Sequence, residues 1–164
     1  MKSLAIGRSH TLGDYLYDAI FVAGIGGGLI ALFFLASDVI FHGEAFLTPT
    51  LMGKMLFDGV APESVRAADM MTVAKFTVVH FVGFGLLGLG ISFIVHQAEI
   101  HARHPLLVIA LVFVILEIAF WLAITFALPG VMERLGHGPV AAANLIAAVG
   151  VAVFFIIAHR PNRG

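Results

Sequence analysis

Glu117 stands near the centre of an unbroken apolar run, Leu106-Leu-Val-Ile-Ala-Leu-Val-Phe-Val-Ile-Leu-Glu-Ile-Ala-Phe-Trp-Leu-Ala-Ile-Thr-Phe-Ala-Leu128. About 20 such residues let a helix cross the hydrocarbon of a bilayer. An ionised carboxylate facing lipid at that depth costs roughly 2.5 kcal/mol or more. Glu117 is therefore expected to be protonated or paired inside a helical bundle. Counting at 1.5 Å per residue places it roughly 18 Å from the Pro105 end of its run, and His80 of the preceding run roughly 24 Å from the same side. The difference of about 6 Å is within side-chain reach, so a Glu117–His80 pair is feasible between neighbouring spans. Asp38 counts to roughly 34 Å, nearer the opposite surface. His42 follows it by four residues on the same helical face. Glu117, His80, Asp38 and His42 thus define an expected polar ladder running outward from mid-membrane, with Trp121 one turn beyond Glu117 as a flank.

Such a ladder admits three chemistries. A Glu–His contact can simply fix helix register, as a buried polar residue does in coiled coils. It can move a proton or cation, with Glu117 as carrier and His80 as partner or ligand. It can also hold a metal, a haem or a lipid- or quinone-like group. A shared metal is limited by the separation of about 10 Å between Asp38 and His80 along the bundle, and a haem held by two histidines lacks a second deep histidine. A second cluster, His96-Gln-Ala-Glu99-Ile-His101-Ala-Arg-His104, lies at the end of the second run. His96 and Glu99 share a face, and Glu99 and Arg103 are spaced as an ion pair. These side chains can bind zinc or sense pH near 6.5, or serve as a solvated interfacial cap. No zinc-protease signature and no serine nucleophile motif is present.

The elements that must position these residues follow from composition. The chain has 164 residues, 60% of them hydrophobic and 12% charged, with a mean hydropathy of +1.05. Soluble domains are about 25% charged, so the bilayer is the solvent this chain fits. A formal net charge of −1 gives no basic surface for nucleic acid. The absence of cysteine excludes disulfides and thiolate metal sites. Run lengths predict four spans at about 15–41, 72–95, 106–128 and 140–158, each helical because irregular backbone cannot face lipid. The expected fold is therefore all-α: a four-transmembrane-helix antiparallel bundle forming one domain.

The 42–71 connection is expected to form a cap. Thr48-Pro49 reads as a helix start, with Thr48 as N-cap and Pro49 at N1, and Leu51, Met52, Met55 and Leu56 fall on one face with Lys54 and Asp58 off it. Gly24 and Gly28 have small-residue spacing for helix–helix contact, and the second span adds Gly83, Gly85, Gly88 and Gly90. Basic residues favour the termini side by five (Lys2, Arg8, Arg103, Arg160, Arg163) to four (Lys54, Arg66, Lys75, Arg134), which predicts cytoplasmic termini in a cell (inner) membrane.

The runs Phe46-Leu-Thr-Pro-Thr-Leu-Met-Gly-Lys-Met-Leu-Phe57, Val79-His-Phe81, Ala98-Glu99 and Arg103-His-Pro105 resemble a set of uncharacterised bacterial four-span membrane proteins. The resemblance implies architecture and a bacterial membrane, and carries no activity. Taken together, the sequence favours a non-enzymatic accessory or self-associating component, with the lipid bilayer and a homo-oligomeric or membrane-complex partner around it. The alternatives are a proton- or metal-handling, transporter-like protein and a cofactor- or quinone-binding subunit of a redox complex.

Overall fold

The computed structural model describes residues 11–98 and 105–158. Among them it contains helices and no strand: α1 (Leu12–Val22), α2 (Gly28–Ser37), α3 (Leu47–Asp58), α4 (Met70–Ala98), α5 (Pro105–Phe126), α6 (Val131–Leu135) and α7 (His137–Ala158). A π-helical turn, Ala23–Gly27, joins α1 to α2, and a second, Asp38–His42, continues α2, so one long rod results. Among the described residues four helices are long and apolar enough to cross a membrane: Leu12–His42, Met70–Gln97, Leu106–Phe126 and His137–Ala158. The shortest has 21 residues, about 32 Å at helical rise, enough for a hydrocarbon core of about 30 Å. Leu32, Leu86, Leu122 and Phe126 are exposed on the outside of the bundle. Bilayer lipid, not another protein layer, is the medium that suits such faces. The chain is a small, all-α, multi-pass membrane protein.

The helices do not pack in chain order. α1 lies along α4, α2 and α5 lie along α7, and α4 and α5 meet only marginally. Glycine sets the closest approaches. A Cβ on Gly88 would stand 2.9 Å from the Ala19 backbone, and one on Gly150 would stand 2.5 Å from the Leu29 side chain. The expected contact at Gly24 and Gly28 is different: within the chain both face open space, while Gly26 and Gly27 press on Phe84 and His80. These glycines lie within or next to the π-turn Ala23–Gly27, whose i→i+5 winding is wider than that of a regular helix.

α4 and α5 come together near the end that carries the termini, where Ile91 and Val95 of one and Val108 and Val112 of the other join Val22, Ala148 and Phe155 in a closed core. Toward the opposite end they part. There α3 lies over the gap, with Leu51 and Met55 packed on Ile124 and Leu128 of the α5 end and on Val65 and Val131. The face expected from Leu51, Met52, Met55 and Leu56 is the face that packs. The result is a wedge between α4 and α5, filled at its narrow end and roofed at its wide one.

Candidate functional site

The roof is held by carboxylates. Asp38 is 1% exposed and accepts hydrogen bonds from the backbone N–H of Thr48 (2.7 Å) and from its hydroxyl (2.7 Å). An anion at a helix N-terminus satisfies N–H groups that have no partner inside the helix and meets the favourable end of the helix dipole. Thr48 is thus not the N-cap that its sequence suggests. Phe46 holds the cap position, at φ 66°, a backbone conformation few aromatic residues adopt. It places the Phe46 ring on the wall of the wedge. At the far end of α3, Lys54 reaches Asp69 at 2.9 Å. Asp69 also caps α4, accepting from the N–H groups of Met71 and Thr72 and from the Thr72 hydroxyl. The hydrogen bond from Lys54, followed by those from Thr72, lowers the Asp69 carboxyl from the usual 3.8 to about 2, and the same bond raises Lys54. Thr50 and Glu44 accept from the N–H groups of Asp69 and Ala68.

His42 does not share the burial of Asp38. Asp38 at the start of the π-turn is buried, and His42 at its last position, next to the left-handed Gly43, is exposed. Both still border a cavity of about 40 Å³ together with Ser37, Thr48 and Arg134, room for about one water molecule among polar walls.

Glu117 and His80 are each bonded elsewhere. Glu117 accepts a hydrogen bond at 2.8 Å from the Asn144 amide of α7, and Trp121 stacks on His137 rather than flanking it. His80 donates from Nε2 to the Gly27 carbonyl at 3.0 Å. Its ring lies among Phe76, Phe81 and Phe84, with centroids at 5.9, 5.3 and 4.8 Å. The expected pairing fails because it assumes that consecutive spans are neighbours. α4 and α5 meet only marginally, and His80 borders the cavity that Leu116 and Ala119 of α5 also line.

His96, expected at the interface with Glu99, turns into the bundle. Its Nε2 lies 2.8 Å from Asp18 Oδ2, an oxygen that also accepts from the Ser92 hydroxyl at 2.8 Å. The edge of Tyr15 meets the His96 ring at a centroid distance of 5.4 Å. Both ionisable side chains are 1% exposed. Glu99, His101 and His104 lie outside the described residues. Among the described residues no group of three or more His, Asp or Glu side chains is arranged to hold a metal.

The wedge itself holds a cavity of about 710 Å³. α2, α4, α5 and α7 supply its walls, α3 its roof, and its lining is apolar apart from His80, Thr48, Thr77 and Asn144. Leu32 and Leu86 line it and are themselves exposed on the outside of the bundle. Asn144 is 4% exposed, and its one hydrogen bond among the described residues runs to Glu117, from Nδ2. Its Oδ1 is left without a partner there. Neither Asn144 nor Asp18 is among the site residues expected from the sequence, though each is a polar residue inside an apolar run. The same signal singles out Glu117 and His80. Comparison of the chain with family models, with curated proteins and with solved structures finds no match.

Proposed function

We propose that this protein is a non-enzymatic, accessory component of a bacterial inner membrane, with both termini cytoplasmic, that holds a small lipid-like molecule in the α4–α5 wedge. The observation that carries this reading is the roofed apolar cavity with the nearly buried Asn144 on its wall. Small-molecule sites are mostly apolar clefts of about 300–1,000 Å³ with a few placed polar groups, and the wedge has that size and composition. Ions are poorly served by it, since an apolar wall cannot replace their hydration shell. A bare acyl tail leaves the wall's polar groups unpaired, which is costly in hydrocarbon. An apolar body carrying a polar group satisfies both.

Small molecules retained by the purified protein test the proposal, using the unmodified chain beside Ala119→Trp, a substitution on the cavity wall. Native mass spectrometry of the unmodified chain is expected to show one bound apolar species that the filled variant lacks, with helical content equal in both. Identical bulk phospholipid on both proteins, and nothing else, overturns it.

A further inference from the structure

The hydrogen-bond roles on the wedge wall narrow the class of ligand, on the footing that the wedge binds a small molecule as proposed. His80 bonds a carbonyl through Nε2. A carbonyl oxygen only accepts, so Nε2 carries the proton, and in neutral imidazole the other nitrogen, Nδ1, is then an acceptor. Nδ1 has no hydrogen-bond partner among the described residues. Thr77 spends its hydroxyl proton on the Val73 carbonyl at 2.8 Å. Thr48 spends its own on Asp38. Asn144 spends one amide N–H on Glu117 and keeps Oδ1 and a second N–H. The wall has therefore committed all of these donors but one Asn144 N–H to the protein, and keeps two unpaired acceptors, His80 Nδ1 and Asn144 Oδ1, among the described residues. An acceptor left facing hydrocarbon carries a desolvation cost that only a donor relieves.

We infer that the wedge selects a hydroxyl-bearing apolar molecule, an alcohol or phenol of the isoprenoid or hydroquinone kind, whose O–H donates to His80 Nδ1 and whose oxygen accepts from Asn144. A carbonyl compound, such as the oxidised quinone, has no proton to give and meets only the single amide N–H. An ether has none either. The aromatic side chains around His80 provide the apolar surface against which the body of such a molecule packs.

Matched probes separate this inference from the binding reading beneath it. Affinities of the full chain in detergent are measured for farnesol and farnesyl methyl ether, and for a short-tailed hydroquinone, kept reduced under argon, with its quinone and its dimethyl ether. In at least one series the hydroxyl compound is expected to bind about tenfold tighter than its ether, the worth of one well-made hydrogen bond. His80→Phe is expected to erase that preference while the ether still binds. Preference for farnesol identifies an isoprenoid alcohol as the source chemistry, and preference for the hydroquinone a redox lipid. Equal binding of hydroxyl compounds and ethers to the unmodified chain, or tightest binding of the quinone, overturns the hydroxyl inference and leaves the cavity reading standing. Persistence of the preference in a folded His80→Phe protein overturns the role given to His80. Binding of no probe, or binding that Ala119→Trp leaves untouched, overturns the cavity reading and the inference with it.

Discussion

α4 carries two inward-turned histidines with opposite surroundings. His96, toward the termini, is sealed with Asp18, Ser92 and Tyr15 near the closed core. His80, toward the cap, bonds one backbone carbonyl and shares its environment with a large cavity. In hydrocarbon an interhelical hydrogen bond inside a packed region is first a device for register and stability. A polar side chain on the wall of a cavity, with hydrogen-bonding capacity left over, is placed to meet something that is not protein. The same residue type on one helix thus divides into structure at one end and binding at the other.

The contrast between the two ends is tested most sharply at Asp18. Asp18→Ala removes the acceptor shared by His96 and Ser92 and leaves both buried, which is expected to cost about 3 kcal/mol or more, measured as a fall in the unfolding midpoint in detergent. Asp38→Ala comes next. It strips two hydrogen bonds from the start of α3 and is expected to cost about 1–2 kcal/mol. Hydrogen exchange should localise that loss to the cap, with the α1–α4 contact unaffected. His80→Phe forfeits a single bond to Gly27, about 1 kcal/mol, so its effect on stability is smaller than that of Asp18→Ala while its effect on ligand preference is larger. A destabilisation by His80→Phe equal to that by Asp18→Ala would erase the distinction between the two ends.

The smallest effect is a pH dependence of the cap. Asp69 titrates lower in the folded protein, at about 2, than its ordinary 3.8. Its contribution is therefore fully present above the ordinary value and is lost as pH falls from near 4 toward 2. Lys54→Met is expected to raise the Asp69 value back toward 3.8, followed by carboxylate chemical shifts on titration. An unchanged Asp69 value in that variant would show that Thr72 alone sets it.

The four spans are legible in the sequence because run length in a bilayer is a nearly sufficient signal. The cap helix is legible from its apolar face at Leu51 and Met55. That Glu117 and His80 are polar residues set inside apolar runs is legible too. Their lateral placement is not, because hydropathy all round a helix gives no direction to its neighbours. Hence Glu117 is expected on His80 and lies instead on Asn144, and Asp38, expected as a rung of a polar ladder, caps α3. The π-turns at Ala23–Gly27 and Asp38–His42 add a shift of faces that regular helical counting does not contain. Asn144 and Asp18 become visible on asking of every apolar run which polar residue interrupts it.

The most direct test of the binding wedge is an experimental density map of the protein in nanodiscs formed from its own membrane. The expected map holds an elongated density between α4 and α5, beneath α3 and beside His80 and Asn144, that ordinary bilayer phospholipid does not fit. α4 and α5 packed side by side along their whole length, with His80 against Glu117 and no space between them, would contradict a binding wedge.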